Sequence, residues 1–260
     1  CPALGSHQNW DLSRWVWQRK RNLWHNLDLT VITPSQWLAR CARESSLLQQ
    51  ARIEVIPYGL DLQRYCPKPQ DWVRTLLQLP LDKPLILFVA SDATGDRRKG
   101  FHLLVAALRS LRQIPWEVEP ELVIFGASRP INPPEFGFKS HYLGAFQDDL
   151  SLALIYAAAN VFVAPSMQDN LPNTVLEALA CGLPSVAFRI GGMPDLIDHE
   201  STGYLANPFD VEELAKGIAW VLQQENRLSQ AARQKAEQEY GLTLQADRYR
   251  SLFQDLPSQP

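Results

Sequence analysis

Residues 161–182, which read VFVAPSMQDNLPNTVLEALACG, indicate the fold class of this chain. The first four residues of this stretch, 161–164, are all apolar, which is typical of a short buried strand. The following segment, 165–172, contains two prolines and several polar residues and therefore predicts a loop. A helix is predicted from about Thr174 to Ala180. The stretch is thus one strand–loop–helix unit.

The same alternation extends over most of the chain. The continuous apolar run Pro84–Ala90 predicts a strand buried on both faces, as parallel sheets require, and a helix is predicted from His102 to about Gln113. Alternating strands and helices predict an α/β fold, a Rossmann-like, doubly wound parallel sheet whose ligands bind at the carboxyl ends of the strands. Further strands are predicted at Ile53–Pro57, Leu122–Phe125, near Tyr142, at Pro184–Phe188 and at Tyr204–Leu205, and further helices at Trp72–Leu77, Leu150–Ala159, Asp210–Gln224, Leu228–Tyr240 and Leu244–Leu256.

The first part of the chain differs from this pattern. It predicts a helix over Asp11–Leu27, a strand at 29–32, and a second helix up to about Ser45 that Thr33 or Ser35 caps. Trp10, Trp17 and Trp24 recur every seven residues, so the first helix carries an apolar face. We favour packing of this face against a further domain. The alternative is a helix on a membrane surface, with a basic flank of Arg14, Arg19, Lys20 and Arg21.

Composition excludes several classes of protein. The 260 residues are 46% hydrophobic and 20% charged, which is ordinary for a globular chain with a sizeable core. A net charge of −3 argues against nucleic acid as a partner, because phosphate backbones call for concentrated positive charge. The four cysteines are far apart and lack metal-ligand spacing, which fits a reducing cytoplasm. Since the chain begins with Cys1 rather than Met, we expect its natural start to lie upstream.

A basic segment follows the strand at 84–90. Arg97, Arg98 and Lys99 come immediately before a predicted helix, whose N-terminus already favours anions. Three cations at that end are unfavourable unless an anion binds there. We therefore favour a phosphate site over a solvated basic turn.

Several common nucleotide and metal motifs are missing. Residues 126–128 read Gly-Ala-Ser rather than the start of G-x-G-x-x-G, which disfavours a dehydrogenase. The P-loop lysine signature and H-E-x-x-H are also absent, which disfavours an ATPase and a zinc protease.

Two acidic residues of the 161–182 stretch can face one cleft. Asp169 lies in the loop and Glu177 on the first turns of the helix, while Asn173 and Thr174 provide N–H groups at the helix N-terminus. Carboxylates accept hydrogen bonds from sugar hydroxyls, and N–H groups receive phosphate oxygens. From the pattern alone, a nucleotide-sugar site and ordinary solvated surface acids remain equally open.

A family resemblance separates these alternatives. It is carried by five segments between about Thr30 and Phe253, which are Val55–Asp61, Arg98–Gly100, Pro165–Gly182, Gly191–Asp195 and His199–Leu205. In this order and spacing they resemble the retaining glycosyltransferases of family four, also called glycosyl transferases group 1, which have GT-B architecture. The resemblance implies that residues 1–50 are a remnant of the amino-terminal acceptor domain, 51–240 the nucleotide-sugar-binding domain, and 241–260 a helix crossing back towards the first domain.

The resemblance also implies residue roles. Lys99, helped by Arg98, is expected to hold the diphosphate, Glu177 the ribose hydroxyls, and Asp169 the donor sugar, with Lys99 and Asp169 as the catalytic pair. Phe146 is expected to lie beside the base. The loop whose amides approach sugar and phosphate comprises Asn170, Leu171, Pro172, Asn173 and Thr174.

This sequence departs from the family pattern at four positions. Pro172 replaces a usual Gly and cannot donate an N–H. Asp169 replaces Glu, Tyr58 stands where Asn is common, and Thr94 falls where an Arg is usual. These differences bear on the identity of the donor.

The function implied is transfer of a sugar, with retention of configuration, from a nucleotide-diphosphate sugar to a glycan or lipid-linked acceptor. No metal or other cofactor is expected. The expected location is the cytoplasm, at the inner face of the membrane if the Trp-rich helix binds lipid. The chain alone is expected to bind nucleotide but to turn over poorly. The alternatives are a nucleotide-sugar epimerase of the same architecture, a non-catalytic nucleotide-sugar-binding module, and a membrane-surface adaptor.

Overall fold

The computed structural model describes residue 8 and residues 10–24, 26–89, 96–126, 135–146, 148–224 and 226–256. The chain divides into two compact units, Cys1–Ile56 and Pro57–Pro260. The predicted residues Thr94, Ala127 and Ser128 lie outside the described part of the chain.

The first unit is a small α/β element. Ser35 is the N-cap of its second helix, because its side chain accepts a hydrogen bond from the N–H of Leu38. The first helix is held in part by Trp17, whose indole N–H donates to the hydroxyl of Ser46. The unit comprises α1 (Leu12–Trp24), β1 (Thr30–Thr33), α2 (Gln36–Glu44) and β2 (Arg52–Val55), and β1 and β2 pair in parallel.

The division between the units lies after Ile56, whereas the sequence predicted it after Gln50. The cause is β2, which the sequence assigned to the second domain. Its register places Ile53 opposite Val31 of β1, so β2 belongs to the first unit.

The second unit is built on one parallel sheet. In the part of the chain that the structure describes, six strands form this sheet in the order β5-β4-β3-β6-β7-β8, all parallel. The predicted Rossmann-like α/β class is therefore confirmed. The elements are α3 (Gln70–Leu76), β3 (Leu85–Val89), α4 (Phe101–Leu111), β4 (Glu121–Phe125), β5 (Ser140–Gly144), α5 (Asp149–Ala158), β6 (Val161–Ala164), α6 (Asn173–Ala180), β7 (Ser185–Phe188), α7 (Met193–Leu196), β8 (Gly203–Ala206), α8 (Val211–Leu222), α9 (Asn226–Glu239) and α10 (Leu242–Asp255).

Alternate residues of each strand face opposite sides of the sheet, and each side has its own core. Leu85 and Leu87 of β3 pack with residues of α5, α6 and α9. Ile86 and Phe88 pack with residues of α4 and α8 on the other side. Both sets are buried, which explains why β3 is apolar throughout.

The strand order reverses between β3 and β6. From β3 the chain proceeds to β4 and β5 on one side, whereas β6, β7 and β8 extend on the other side. In open parallel sheets such a switch point leaves a crevice at the carboxyl ends of the strands, where ligands bind. The basic loop after β3 and the Asp169 loop after β6 therefore lie side by side.

Candidate functional site

Three loops meet at the carboxyl ends of β3, β6 and β7. The N–H of Met167, after β6, donates to the carbonyl of Arg98, after β3, at 2.7 Å. The N–H of Gly192, after β7, donates to the carbonyl of Asp169 at 3.2 Å. These two main-chain hydrogen bonds join the three loops into one surface.

Glycine is required at two of these contacts. Gly100 has a φ of +69°, and a Cβ there would lie 1.8 Å from the carbonyl oxygen of Pro165. Gly191 has a φ of +52°, and its Cβ would lie 1.9 Å from the carbonyl oxygen of Asp169. A side chain at either position would force the loops apart. Both glycines lie in segments that carry the family resemblance, but the sequence did not indicate that close contact between the loops requires them.

Lys99 and Asp169, the predicted catalytic residues, form an ion pair across the crevice. The Nζ of Lys99 lies 3.2 Å from Oδ2 of Asp169. Oδ1 of the same carboxylate accepts a hydrogen bond from the N–H of Asn170 at 2.9 Å. The Lys99 side chain is 49% exposed and the Asp169 side chain 19% exposed, so a ligand can reach the ammonium without unfolding the loop.

Arg98 has a different environment. Its guanidinium makes two hydrogen bonds to the carboxylate of Asp96, at 3.0 and 2.8 Å, and its side chain is 75% exposed. These hydrogen bonds lower the pKa of Asp96 below its usual value. Arg98 is therefore held by its own loop, and Lys99 is the cation of this pair that reaches Asp169.

The N-terminus of α6 has main-chain donors without partners. Pro172 occupies the N-cap position and provides no side-chain cap. The first main-chain hydrogen bonds of the helix are donated by Val175 and Leu176 to Pro172. Among the described residues, none accepts a hydrogen bond from the N–H of Asn173 or Thr174, which makes them available to an anion.

The side chains of the loop before α6 divide into two groups. Leu171 is 4% exposed and packs in the core, and Pro172 is also buried. Asn173 is exposed and Thr174 is half-buried. Leu171 and Pro172 can therefore contact a ligand only through their main chain, and Pro172 only through its carbonyl because it lacks an N–H.

Glu177 is half-buried on α6 and accepts a hydrogen bond from the hydroxyl of Tyr156 at 2.8 Å. Burial, and to a smaller extent the negative charge of Asp149, raise the pKa of Glu177 to about 7. The hydrogen bond from Tyr156 acts in the opposite direction, because it stabilises the ionised carboxylate. Near neutral pH this carboxyl group is thus poised between its two protonation states.

Phe146 follows β5 at the same edge of the sheet. It is half-buried and packs against the core on the α5–α6 side. Gly144, just before it, has a φ of +85°, which turns the chain away from the strand. Since the ring is used for packing, contact of Phe146 with a ligand is left mainly to its main chain.

Some parts of this surface were not predicted. Tyr156 carries no sequence signal, because a tyrosine within an apolar helix resembles an ordinary core residue. The pairing of Arg98 with Asp96 was also missed, although an acidic residue two positions before an arginine in a turn is a signal that could have indicated it.

The described residues contain neither a metal-binding cluster nor a membrane-spanning helix. No group of three or more His, Cys, Asp or Glu side chains there is arranged to hold a metal ion. No helix in the described ranges is long and apolar enough to cross a membrane. The expectation that no metal is needed stays a prediction.

The chain is similar to known proteins in family, in sequence and in structure. Residues 83–224 match the family model described as glycosyl transferases group 1. The chain is 29% identical over 231 residues to the sulfoquinovosyl transferase SQD2 of Arabidopsis thaliana, a match that covers 85% of this chain and 44% of that protein. It is 32% identical over 197 residues to a D-inositol 3-phosphate glycosyltransferase of Xylanimonas cellulosilytica, covering 70% and 45% respectively.

Among solved structures, the fold is similar to that of sucrose-phosphate synthase from Thermosynechococcus elongatus. The TM-score is 0.76 at 28% identity, and the match covers 96% of this chain and 63% of that one. The chain therefore matches less than half of the two sequence relatives and less than two thirds of the solved structure.

Proposed function

The chain belongs to the glycosyl transferases group 1 family. We propose that it is the nucleotide-sugar-binding part of a retaining glycosyltransferase. The observation that carries the proposal is the pairing of Lys99 with Asp169 beside the N-terminus of α6. A cation, a carboxylate and free main-chain donors at a switch point match the parts of a nucleotide-diphosphate sugar. Lys99 and the α6 amides suit the diphosphate, Asp169 suits the sugar, and Glu177 suits the ribose.

Charge development defines the proposed mechanism. As the bond between the anomeric carbon and the diphosphate breaks, negative charge grows on the phosphate oxygens. Lys99 and the N–H groups of Asn173 and Thr174 stabilise this charge from fixed positions. Losing one such contact typically raises the barrier by about 3 kcal/mol, or roughly two decades in rate.

Retention follows if attack and departure share one face of the sugar. The acceptor hydroxyl forms its bond to the anomeric carbon on the face that the diphosphate leaves, and its proton passes to the departing phosphate. Asp169 is proposed to orient the donor sugar through hydrogen bonds to its hydroxyls. In this scheme the cationic and main-chain donors serve in place of a metal ion.

We propose a glycan or lipid-linked acceptor. One sequence relative is named for the group it transfers, sulfoquinovosyl, and the other for D-inositol 3-phosphate, so the two names give no common acceptor. Because this chain spans less than half of each relative, we expect it to bind nucleotide but to transfer sugar poorly on its own.

Peripheral contact with a membrane is the second part of the proposal. Leu12, Trp15 and Leu23 lie on one stripe of α1 and are 75%, 51% and 60% exposed. The helix has no acidic residue, and its cations lie over its indole rings, as in Arg19 over Trp15 at 5.6 Å. Aromatic and basic side chains together favour an anionic lipid surface. We accordingly propose the cytoplasmic face of a membrane as the site of action.

The donor-binding proposal is tested by thermal unfolding of the chain with UDP, GDP, ADP and the corresponding nucleosides. A ligand that binds only the folded state raises the midpoint temperature. We expect one diphosphate to raise it and the matching nucleoside to have little effect, because Lys99 and α6 contact phosphate. If none of the diphosphates has an effect, the proposal is contradicted.

Product analysis separates the alternatives. The nucleotide sugar of the base that binds is incubated with the chain and candidate acceptors, and the products are followed by NMR. A new glycoside with the anomeric configuration of the donor supports the proposed reaction. A hexose epimer instead supports the epimerase. Detection of rapid transfer by the chain alone would contradict the expectation of poor turnover.

A further inference from the structure

The hydrogen bond between α5 and α6 assigns a role to a residue outside the crevice loops. Tyr156 is 1% exposed, and its hydroxyl donates to Oε2 of Glu177 at 2.8 Å. We propose that Tyr156 is a positioning residue. It fixes the Glu177 carboxylate so that this group accepts hydrogen bonds from the vicinal hydroxyls of a ribose. The inference rests on the proposed function and adds the residue that sets discrimination between ribo- and deoxyribonucleotides.

The tyrosine ring is held rigidly by the sheet. Phe125, at the end of β4, packs edge-on against it at a centroid distance of 5.8 Å. Phe162 of β6 does the same from another side, at 5.7 Å. Two edge-to-face contacts leave the ring little freedom, so the position of its hydroxyl is set by the sheet. A donor on a rigid element orients its partner more precisely than a loop residue can.

The hydroxyl of Tyr156 keeps its proton to a higher pH than an ordinary tyrosine. Burial raises the pKa of Tyr156 well above its usual value, and the neighbouring Glu177 carboxylate raises it further. The phenol therefore donates a hydrogen bond to Oε2 near neutral pH. Among the described residues, none donates a hydrogen bond to Oε1 of Glu177. One oxygen is thus engaged by the protein, and the other remains for a ligand hydroxyl.

Ionisable groups from three segments face the Glu177 carboxylate. Tyr156 and Asp149 come from α5, Tyr65 from the segment before α3, and Cys181 from the end of α6. Asp149 is itself engaged, because its two oxygens accept hydrogen bonds from Tyr65 and from the guanidinium of Arg64. Among these groups, Tyr156 is the one that donates a hydrogen bond to Glu177 in the described structure.

Loss of that hydrogen bond therefore has a defined pH effect. Burial raises the pKa of Glu177 to about 7, and the hydrogen bond from Tyr156 opposes this rise. Without the phenolic hydroxyl, the carboxyl group stays protonated to a higher pH. An ionised carboxylate accepts hydrogen bonds from a ribose more strongly than a carboxylic acid does. Preference for ribose should consequently develop at a higher pH in a variant that lacks the hydroxyl.

The test compares affinities for a ribonucleotide and its 2′-deoxy analogue by calorimetry, with the pairs UDP and dUDP, GDP and dGDP, and ADP and dADP. The ratio of interest is the Kd of the deoxy analogue divided by the Kd of the ribonucleotide. We expect Tyr156→Phe to reduce this ratio roughly tenfold, as for loss of a hydrogen bond to a charged group. The affinity for the deoxy analogue should change less, because only its 3′-hydroxyl can reach Glu177, while Lys99 and α6 are unaltered. The pH at which half of the preference for the ribonucleotide has developed should also rise.

Tyr240→Phe is the matched control. Tyr240 is 2% exposed, and its hydroxyl donates to the carbonyl of Asp195 at 2.6 Å, so it loses a comparable buried hydrogen bond away from Glu177. Its ribose-to-deoxyribose ratio should equal that of the wild type. Partial unfolding lowers both affinities equally and leaves the ratio unchanged, so the ratio does not report general damage.

Four outcomes would overturn the inference. An unchanged ratio in Tyr156→Phe contradicts the positioning role while leaving the donor site intact. Equal wild-type affinity for both members of a pair contradicts the assignment of Glu177 to ribose, and with it the role of Tyr156. Absence of binding to every diphosphate contradicts the proposed function itself. A further reduction of the ratio when Tyr156→Phe is added to Glu177→Gln would show that Tyr156 acts independently of Glu177.

Discussion

Lys99 and Asp169 are separated by seventy positions in sequence, and their side chains meet at 3.2 Å at the switch point of the sheet. The contact joins the loop after β3 to the loop after β6. The carboxylate of Asp169 thus holds the ammonium of Lys99, the proposed diphosphate ligand, at the crevice. This arrangement leads to predictions that treat the two residues separately.

Asp169→Asn removes the ion pair and keeps the shape of the side chain. We expect the Kd for the nucleoside diphosphate to change less than about threefold, because ion pairs this exposed are worth roughly 0–1 kcal/mol. The added affinity of the nucleotide sugar over the diphosphate should fall, since Asp169 is proposed to contact the sugar. Calorimetry with UDP and UDP-glucose, GDP and GDP-mannose, and ADP and ADP-glucose measures both effects. Equal losses for diphosphate and nucleotide sugar would count against the assignment.

Gly100→Ala should separate the loops after β3 and β6. A Cβ at Gly100 would lie 1.8 Å from the carbonyl oxygen of Pro165, and the φ of +69° is itself unfavourable for alanine. We expect a loss of about 2 kcal/mol or more in the free energy of unfolding, measured by urea denaturation. Gly144→Ala is the control for backbone strain alone, because its φ is +85° but nothing lies within 4 Å of the added atom. Similar losses in the two variants would contradict the role of the close contact.

Glu177→Gln should stabilise the protein at high pH. Burial raises the pKa of Glu177 from 4.5 to about 7, so the folded state binds more protons than the unfolded state between these values. The stability that protonated Glu177 contributes to the wild type is therefore lost as pH rises through about 7, whereas glutamine is neutral at every pH. Between pH 4 and pH 8, we expect the free energy of unfolding of the variant to rise by on the order of 2 kcal/mol relative to that of the wild type.

Urea denaturation at pH 4, 6 and 8 measures this difference. The control is Glu119→Gln, because Glu119 is exposed and its replacement should change the free energy of unfolding little at each pH. A difference between Glu177→Gln and the wild type that stays constant with pH would rule out the raised pKa.

Trp15→Ser should weaken the association of the chain with anionic vesicles. Trp15 is 51% exposed on α1, and insertion of its ring into the lipid interface is the proposed source of apolar binding. Trp72→Ser, on α3, removes an indole that is 57% exposed in the second unit and should leave binding unchanged. Co-sedimentation with phosphatidylserine and with pure phosphatidylcholine vesicles gives the bound fractions. Failure of the wild type to bind anionic vesicles would contradict membrane contact.

The sheet was predictable because its inner strands, β4, β3, β6 and β7, are buried on both faces. β3 and β6 are apolar at every position, and the helices between them carry regular apolar spacing. α7 was missed because four residues, Met193–Leu196, are too few to show a helical period. The division after Ile56 was missed because strand pairing, which places β2 beside β1, is not visible in local sequence.

Side-chain partners were predictable only in part. Loop position after a strand correctly brought Lys99 and Asp169 to one edge of the sheet. The same reasoning placed Arg98 beside Lys99, but the structure turns its guanidinium to Asp96. Tyr156 meets Glu177 through the packing of two helices, and such a contact depends on tertiary geometry that no local pattern encodes.

Lys99 is proposed to anchor a nucleoside diphosphate, and calorimetric titration with UDP, GDP and ADP measures its contribution to binding. Lys216→Ala, which removes an exposed lysine of α8, is the matched control for the change in charge. We predict that the wild type and Lys216→Ala bind one of the diphosphates alike and that Lys99→Ala binds it at least tenfold more weakly, as expected for loss of a charge-assisted contact. Equal affinity of Lys99→Ala and the wild type, or no binding by any of the three proteins, would contradict the account.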